Sequence, residues 1–486
     1  MVIAARAWYN CLNASIEVIM QDKINALSAA VEKWQQLGQA VSQAPSAPEL
    51  EAIIDVSLGQ QGAEPEQIEQ AIDDYLKYSP NTSRPEFFKL LYSGLNQDAL
   101  LGDWITSLCN STMHTYQVGP VATLMELEVI HQCNALIGFD QGEGVMVAGG
   151  SQANLIGMML ARQRALPTLK TTGFATSGAP ILRAYVSDQA HYSFQRAANL
   201  LGVGTDNLIK VESDSQGRIR SDSLERSILQ DIEQGFTPFF IGLTAGTTVV
   251  GAFDSVVDGS AIARKHCIWL HIDGAWGAPV LFSEHHKALL KDSGLADSLT
   301  WDAHKLMNVP ITAALILVKE PGRLEEAIAG GGGDYLFHDD VNAPYNLGEK
   351  SIQCGRRADA LKVWLSWKAL GNQGFANKVD ELQTLKSACV EMIQSRNALE
   401  IIGPTSYLNV LFRYKADSVD SEVELAELNK SICKLMVARG GPHVDYAQYK
   451  GRTGIRLILG NAAVNAEHIE DLLNYCESLG VELEGI

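Results

Sequence analysis

The sequence predicts an α/β protein built on a seven-stranded, mainly parallel sheet, and three observations carry that prediction. Short apolar runs alternate with helix-length amphipathic segments through the middle of the 486-residue chain. One run ends in a glycine pair that opens a helix, and residues able to bind ligands recur where the runs stop. Buried runs separated by helical crossovers are what a parallel sheet needs, because its helices cover both faces.

Residues 1–80 read as an N-terminal helical segment. Its clearest helix runs from Pro65 to Leu76, where Ile68, Ala71, Ile72, Tyr75 and Leu76 recur at three- and four-residue spacing and Pro65 suits the first turn. Proline-rich breaks at Gln43–Pro48 and Ser79–Pro85 bound it. Residues 81–358 form the large α/β domain, with β runs at Val145–Ala148, Leu182–Ser187, Leu208–Val211, Phe239–Thr244, Ile268–Ile272, Leu299–Trp301 and Ala313–Val318. Residues 359–486 read as a C-terminal α+β domain: a long helix from Asp359 to about Asn397, a run at Tyr407–Tyr414, a helix over Val423–Val437, a run at Thr453–Leu459 and a last helix from Ala466 to Leu479.

Composition excludes several classes. The net charge of −19 leaves no basic surface on which counterion release could drive binding to nucleic acid. The eight cysteines are scattered, without metal-ligand spacing or a disulfide framework, so no metal is expected and reduced thiols in the cytoplasm are. No apolar run reaches the ~18 residues needed to span a bilayer, and the chain is expected to be soluble and free of membrane.

The chemistry sits at the ends of the runs. Val145–Asn154 reads as strand, glycine turn and helix start, in which Gly150 lets the backbone approach an anion and Ser151 either caps the helix or donates to phosphate. Lys305 follows His304 just past the Leu299–Trp301 run, and Asp273 closes the Ile268–Ile272 run. Together they read as a Schiff-base lysine for pyridoxal phosphate and a carboxylate for its ring nitrogen, which keeps the ring protonated as an electron sink. Asp273 alone could equally cap a loop. His191 could stack on the cofactor or simply start a helix, and Thr247 and Thr248 lie at another strand end, where α/β sheets collect ligands. Arg456, in the Thr453–Leu459 run, fits a carboxylate clamp or a structural ion pair. Tyr335 follows four glycines, Gly330–Gly333, that suit a mobile flap; a phenol near its ordinary pKa of ~10 can donate to a carbanion. It could also be an aromatic anchor.

From about Arg84 onward the chain resembles the group II pyridoxal phosphate-dependent amino acid decarboxylases, of the aspartate aminotransferase-like fold type I, and within them the glutamate and cysteine sulfinate decarboxylase branch. The stretches that carry the resemblance are Asn110–Pro120, Gly149–Asn154, His271-Ile272-Asp273, His304-Lys305, Tyr335-Leu336-Phe337 and Gln353-Cys354-Gly355-Arg356. It implies Lys305 as the cofactor lysine, Asp273 as the ring-nitrogen partner and His191 as the stacking residue. Gly150, Ser151, Thr248 and His304 would surround the phosphate and cofactor, and Ala275 would pack under the ring. Gly355 would reach a phosphate across the interface of a homodimer. It further implies Arg456 as the carboxylate clamp and Tyr335 as the proton donor to Cα, the tyrosine favouring simple decarboxylation over aldehyde formation.

Three positions depart from the glutamate enzymes. Leu90 stands where they place a glutamine that reads the distal carboxylate, and Thr112 and His114 replace an asparagine and a phenylalanine; cysteine sulfinate enzymes also alter the latter two. His114 could pair with a short acidic side chain or be a packed core histidine. Asp302 stands where glutamate decarboxylases have asparagine near the phosphate, so its charge must point away or be bridged. The expected activity is α-decarboxylation of a small acidic L-amino acid of the aspartate, cysteine sulfinate or glutamate class, releasing an amine and CO2. Decarboxylation of a different amino acid, transamination or C–C cleavage on the same scaffold, or a non-catalytic partner role, are the alternatives.

Overall fold

The structure, a computed structural model, describes residues 21–37, 45–174, 179–330, 333, 335–416, 419 and 421–484. Cys11, Gln43, Ala44, Gly331, Gly332 and Asp334 lie outside the described residues.

Seven strands form the main sheet: β1 (Glu143–Val147), β2 (Leu182–Ser187), β3 (Leu208–Val211), β4 (Thr237–Thr244), β5 (Trp269–Asp273), β6 (Ser298–Asp302) and β7 (Ala314–Val318). Their order is β1-β7-β6-β5-β4-β2-β3. Neighbours from β3 to β6 pair in parallel, whereas β7 runs antiparallel to both β6 and β1. Six strands therefore point one way. Their carboxyl ends bring the Gly149–Gly150 turn, the loop through His191, Thr247–Thr248, Asp273 and Asp302 to one edge of the sheet, where ligands of open α/β sheets collect.

The strands differ in how their faces are used. β7, Ala-Leu-Ile-Leu-Val, is buried throughout, as a strand covered on both sides must be. β5 and β6 are equally buried, yet on one face they alternate polar residues: His271 and Asp273 on β5, and Ser298, Thr300 and Asp302 on β6. Register sets His271 opposite Ser298 and Asp273 opposite Thr300. The helix Gly150–Ala165 lies against this polar face, and a Cβ placed on Gly157 would fall 2.6 Å from His271 Nδ1. Gly157→Ala should therefore destabilise the fold by about 1–3 kcal/mol through overpacking. The check is the urea midpoint at unchanged m-value, and a midpoint like that of the native chain would show that this contact does not set the spacing.

A four-stranded antiparallel sheet of order β10-β11-β9-β8 comes from β8 (Leu399–Ile401), β9 (Asn409–Tyr414), β10 (Asp445–Tyr449) and β11 (Arg452–Ile458). It follows the helix Ala360–Gln394, which is broken at Gly371 by a φ of 61°. β10 and β11 form a hairpin closed by Lys450 and Gly451, whose φ values of 47° and 83° are those a type I′ turn demands. The chain divides into two compact units: Thr82–Cys433 with Val444–Ile486, which holds both sheets, and Met1–Asn81 with Lys434–His443. The latter contains helices over 21–36, Ala47–Ile53 and Pro65–Tyr78, and Lys33 pairs with Asp73 within it. Pro65 occupies the first turn of its helix. Among the described residues no helix is long and apolar enough to cross a membrane.

Candidate active site

At the carboxyl edge of the main sheet lies a cavity of about 400 Å³, lined among others by Gly150, Ser151, His191, Thr248, Asp273, Ala275, Asp302, His304 and Lys305. Every one of the expected cofactor residues except Gly355 is thus brought together.

Asp273 is 5 % exposed and would be costly to bury alone. Its Oδ2 accepts from Asn154 Nδ2 at 2.8 Å and its Oδ1 from the Ala275 N–H at 3.2 Å. Behind Asn154 runs a relay whose direction is fixed by chemistry. Burial holds His271 neutral, with its pKa lowered to about 4. Trp269 Nε1–H can only donate, and it meets Ser298 Oγ at 2.8 Å. Ser298 Oγ lies 2.8 Å from His271 Nδ1, and His271 Nε2 lies 3.0 Å from Asn154 Oδ1. Because the Asn154 amide must present its nitrogen to the carboxylate, its oxygen accepts, so the His271 proton resides on Nε2. Thr300 Oγ1 donates to the same oxygen at 2.7 Å. The relay ends by aiming donors at the Asp273 carboxylate.

Lys305 follows β6 with its side chain 22 % exposed, and Nζ lies 3.2 Å from Asp302 Oδ2. Asp302 thus faces inward and is bridged by the lysine. His304 Nδ1 shares contacts with the Ala313 backbone, its oxygen at 2.9 Å and its N–H at 3.2 Å. His191 Nδ1 accepts from the Ser193 N–H at 3.2 Å, and burial lowers its pKa against the opposing pull of Asp273, so the ring is neutral with its proton on Nε2.

Arg456 stands on β11 at 8 % exposure. It donates to the carbonyls of Thr248, at 3.2 Å, and Lys89, at 2.8 Å, while its Nε has no partner among the described residues. Burial lowers its pKa, partly offset by Asp445. No carboxylate among the described residues forms an ion pair with it, so the structural-ion-pair alternative is not what the fold supplies. Arg456 does not itself line the cavity; it stands one hydrogen bond behind Thr248, which does, and so at the cavity's margin.

Leu91 rather than Leu90 lines the cavity; Leu90 is half-buried beside it. Thr112, His114, Gly355 and Tyr335 do not line it. Thr112 and His114 belong to a second cluster, in which Thr112 Oγ1 meets His114 Nδ1 at 3.1 Å and accepts from the Arg356 N–H at 3.2 Å. The Gly348 N–H donates to the His114 carbonyl at 2.9 Å. Gly355 is exposed next to the buried Arg356–Glu126 pair, 2.7 Å apart, and Tyr335 is 76 % exposed.

Sequence reasoning assigned no role to Asn154, His271, Ser298 or Thr300. A signal existed: Gly150, Asn154 and Gly157 recur at helical spacing, and the polar residues of β5 and β6 recur at spacing two, so all fall on facing surfaces.

Comparison with known proteins agrees with this geometry. The model of the pyridoxal-dependent decarboxylase conserved domain matches residues 48–415. Human cysteine sulfinic acid decarboxylase is 34% identical over 464 residues, covering 93% of this chain and 94% of that protein. Human acidic amino acid decarboxylase GADL1 is 33% identical over 445 residues, covering 90% and 85%. The crystal structure of mouse CSAD superposes with a TM-score of 0.91 at 33% identity, covering 96% of this chain and 99% of that one. With a lysine, a donor-fed carboxylate and a helix N-terminus gathered in one cavity, and with relatives of this length and likeness, the chain belongs to the pyridoxal-dependent decarboxylases, carboxy-lyases whose cofactor is pyridoxal phosphate.

Proposed function

We propose that the protein decarboxylates a small acidic L-amino acid, of the aspartate, cysteine sulfinate or glutamate class, to its amine and CO2 in a site shared by two copies of the chain. The observation that carries the reading is Arg456, a buried guanidinium without a carboxylate partner at the margin of the lysine cavity. A buried cation of this kind is stabilised by a bidentate anion, and a substrate α-carboxylate is one.

The residues fit pyridoxal phosphate. Lys305 Nζ would hold it covalently, Asp273 would accept from its ring nitrogen, and the amides at Gly150 and Ser151, with Thr248 and His304, would surround its phosphate. The neutral His191 would lie on one face of the ring and Ala275 on the other. When bound, the cofactor supplies a protonated conjugated ring that takes up the electron pair left on Cα when CO2 departs. The protein's part is positional. Arg456 would hold the α-carboxylate so that the scissile bond stands perpendicular to that ring, and the relay through Asn154 would keep the ring nitrogen protonated. Tyr335 would then deliver its phenolic proton to Cα.

The acidic substrate class is supported by relatives named for cysteine sulfinic acid and for acidic amino acids. Leu90, Thr112 and His114 are the residues we assign to the side-chain pocket, His114 as the partner of a short acidic group. The shared site is supported by Thr112, His114, Gly355 and Tyr335, none of which lines the cavity of its own chain.

Radiometric CO2 release across a panel of L-amino acids tests the function: turnover of cysteine sulfinate, aspartate or glutamate is expected, and turnover of aromatic amino acids alone would sink the acidic reading. Arg456→Gln should raise KM about tenfold or more with cofactor uptake retained, because a charge-assisted bond to a buried partner is lost. An unchanged KM would remove Arg456 as the clamp.

A further inference from the structure

Asp302 is an acceptor inside an anion site. It ends β6 at 1 % exposure and lines the cavity beside Gly150 and Ser151. A Cβ placed on Gly150 would lie 2.7 Å from Asp302 Oδ2 and 2.9 Å from Oδ1, so both carboxylate oxygens abut the first residue of the 16-residue helix Gly150–Ala165. Oδ2 is engaged, 3.2 Å from Lys305 Nζ and 3.7 Å from His304 Nε2. Oδ1 has no hydrogen-bond partner among the described residues.

The two features oppose each other. A helix N-terminus attracts anions, while a buried carboxylate beside it repels them. Two acceptors can share this space only if a proton lies between them. A phosphate monoester can supply one, because its second proton leaves near pH ~6; a fully ionised oxyanion cannot.

We propose that Asp302 makes this site selective for oxyanions that carry a proton, so that a phosphate group is held in its monoprotonated form with the P–O–H donating to Asp302 Oδ1. The inference rests on the reading of this cavity as the phosphate end of the cofactor site. It predicts that phosphate binding weakens as pH rises, although a dianion is otherwise the better ligand for a helix N-terminus. Other charged groups also face the cavity: Lys305 and His304 from the segment after β6, His191 after β2, Asp273 on β5, and Arg456 at the margin. The cations among them favour the more highly charged anion and so raise phosphate binding relative to sulfate as pH rises, the opposite of the trend that Asp302 imposes.

The test uses the full chain freed of cofactor, with methyl phosphate, a monoester that gives up its last proton near pH ~6, and sulfate as competitors of pyridoxal phosphate capture between about pH 5.5 and about pH 8.5. Phosphate should compete about tenfold better than sulfate at the acid end, the factor expected when an acceptor is left without a donor. That advantage should fall steadily as pH rises. In Asp302→Asn, whose amide can donate, sulfate should come within about twofold of phosphate and the downward trend should vanish. Equal competition in the native chain at the acid end, or an advantage that stays flat or grows with pH, overturns the inference even if the variant does not fold. Persistence of the trend in a folded Asp302→Asn variant overturns it too. A native chain that captures no pyridoxal phosphate at all overturns the cofactor reading and this inference with it, whereas capture with a flat ratio overturns this inference alone.

Discussion

Replacing Lys305 by alanine should leave a chain that retains no covalent cofactor and forms amine at least about a thousandfold more slowly than the native protein, the scale of loss when a covalent catalyst is deleted. The measurement is borohydride fixation followed by peptide mass analysis: the native chain should carry the cofactor mass on the Lys305 peptide, and the variant on none. A fixed adduct elsewhere, or amine formation within tenfold of native, would falsify the assignment. One structural consequence must be kept apart from the chemical one. Asp302 is 1 % exposed and pairs with Lys305, so the alanine variant leaves a buried carboxylate without its cation. Removing one partner of such a pair costs about 3–5 kcal/mol, which could unfold the chain and mimic a catalytic loss. The double variant Lys305→Ala with Asp302→Asn removes the stranded charge as well; it should recover stability and still carry no fixed cofactor.

Much of this site was legible before the fold was seen, and the physical reason is the sheet. β4 to β7 are buried on both faces, so they stand out as apolar runs, and parallel strands deliver whatever follows them to one edge. Asp273, His191, Thr248, Gly150 and Lys305 could be grouped on that basis without a distance. What escaped was polar, or distant in the sequence. β10 alternates half-buried and exposed residues from Asp445 to Gln448, buries only Tyr449, and offers no apolar run to read. Ser298 and Thr300 hid inside a strand recognised by Leu299 and Trp301, because the eye follows the face that packs. Asn154 looks like an ordinary helix residue until Asp273, 119 positions away, is placed against it. The Arg356–Glu126 pair joins segments 230 positions apart, and no local pattern announces it.

Tyr335→Phe should retain the cofactor, bind substrate and release CO2 slowly, yet lose about a hundredfold or more of its amine yield, since it removes only the proton that the general acid supplies. The ratio of amine to CO2 is therefore the diagnostic quantity; an unchanged ratio would show that another group protonates Cα. The position of Tyr335 adds a sharper expectation. Tyr335 is 76 % exposed and absent from the lining of the lysine cavity, so a shared site, as proposed, would have it serve the other copy. Mixing Lys305→Ala subunits with Tyr335→Phe subunits then creates, in each mixed dimer, one site with both defects and one site with neither. Random pairing makes half the dimers mixed, so about a quarter of all sites should regain native chemistry. If lysine and tyrosine instead act within one chain, every site keeps a defect and mixing restores nothing. The same mixture should also report on Thr112 and His114. If they enter the cavity with the partner's tyrosine, Thr112→Asn and His114→Phe should alter substrate preference in the restored site only when carried by the Lys305→Ala subunit, which donates its second cluster to that site.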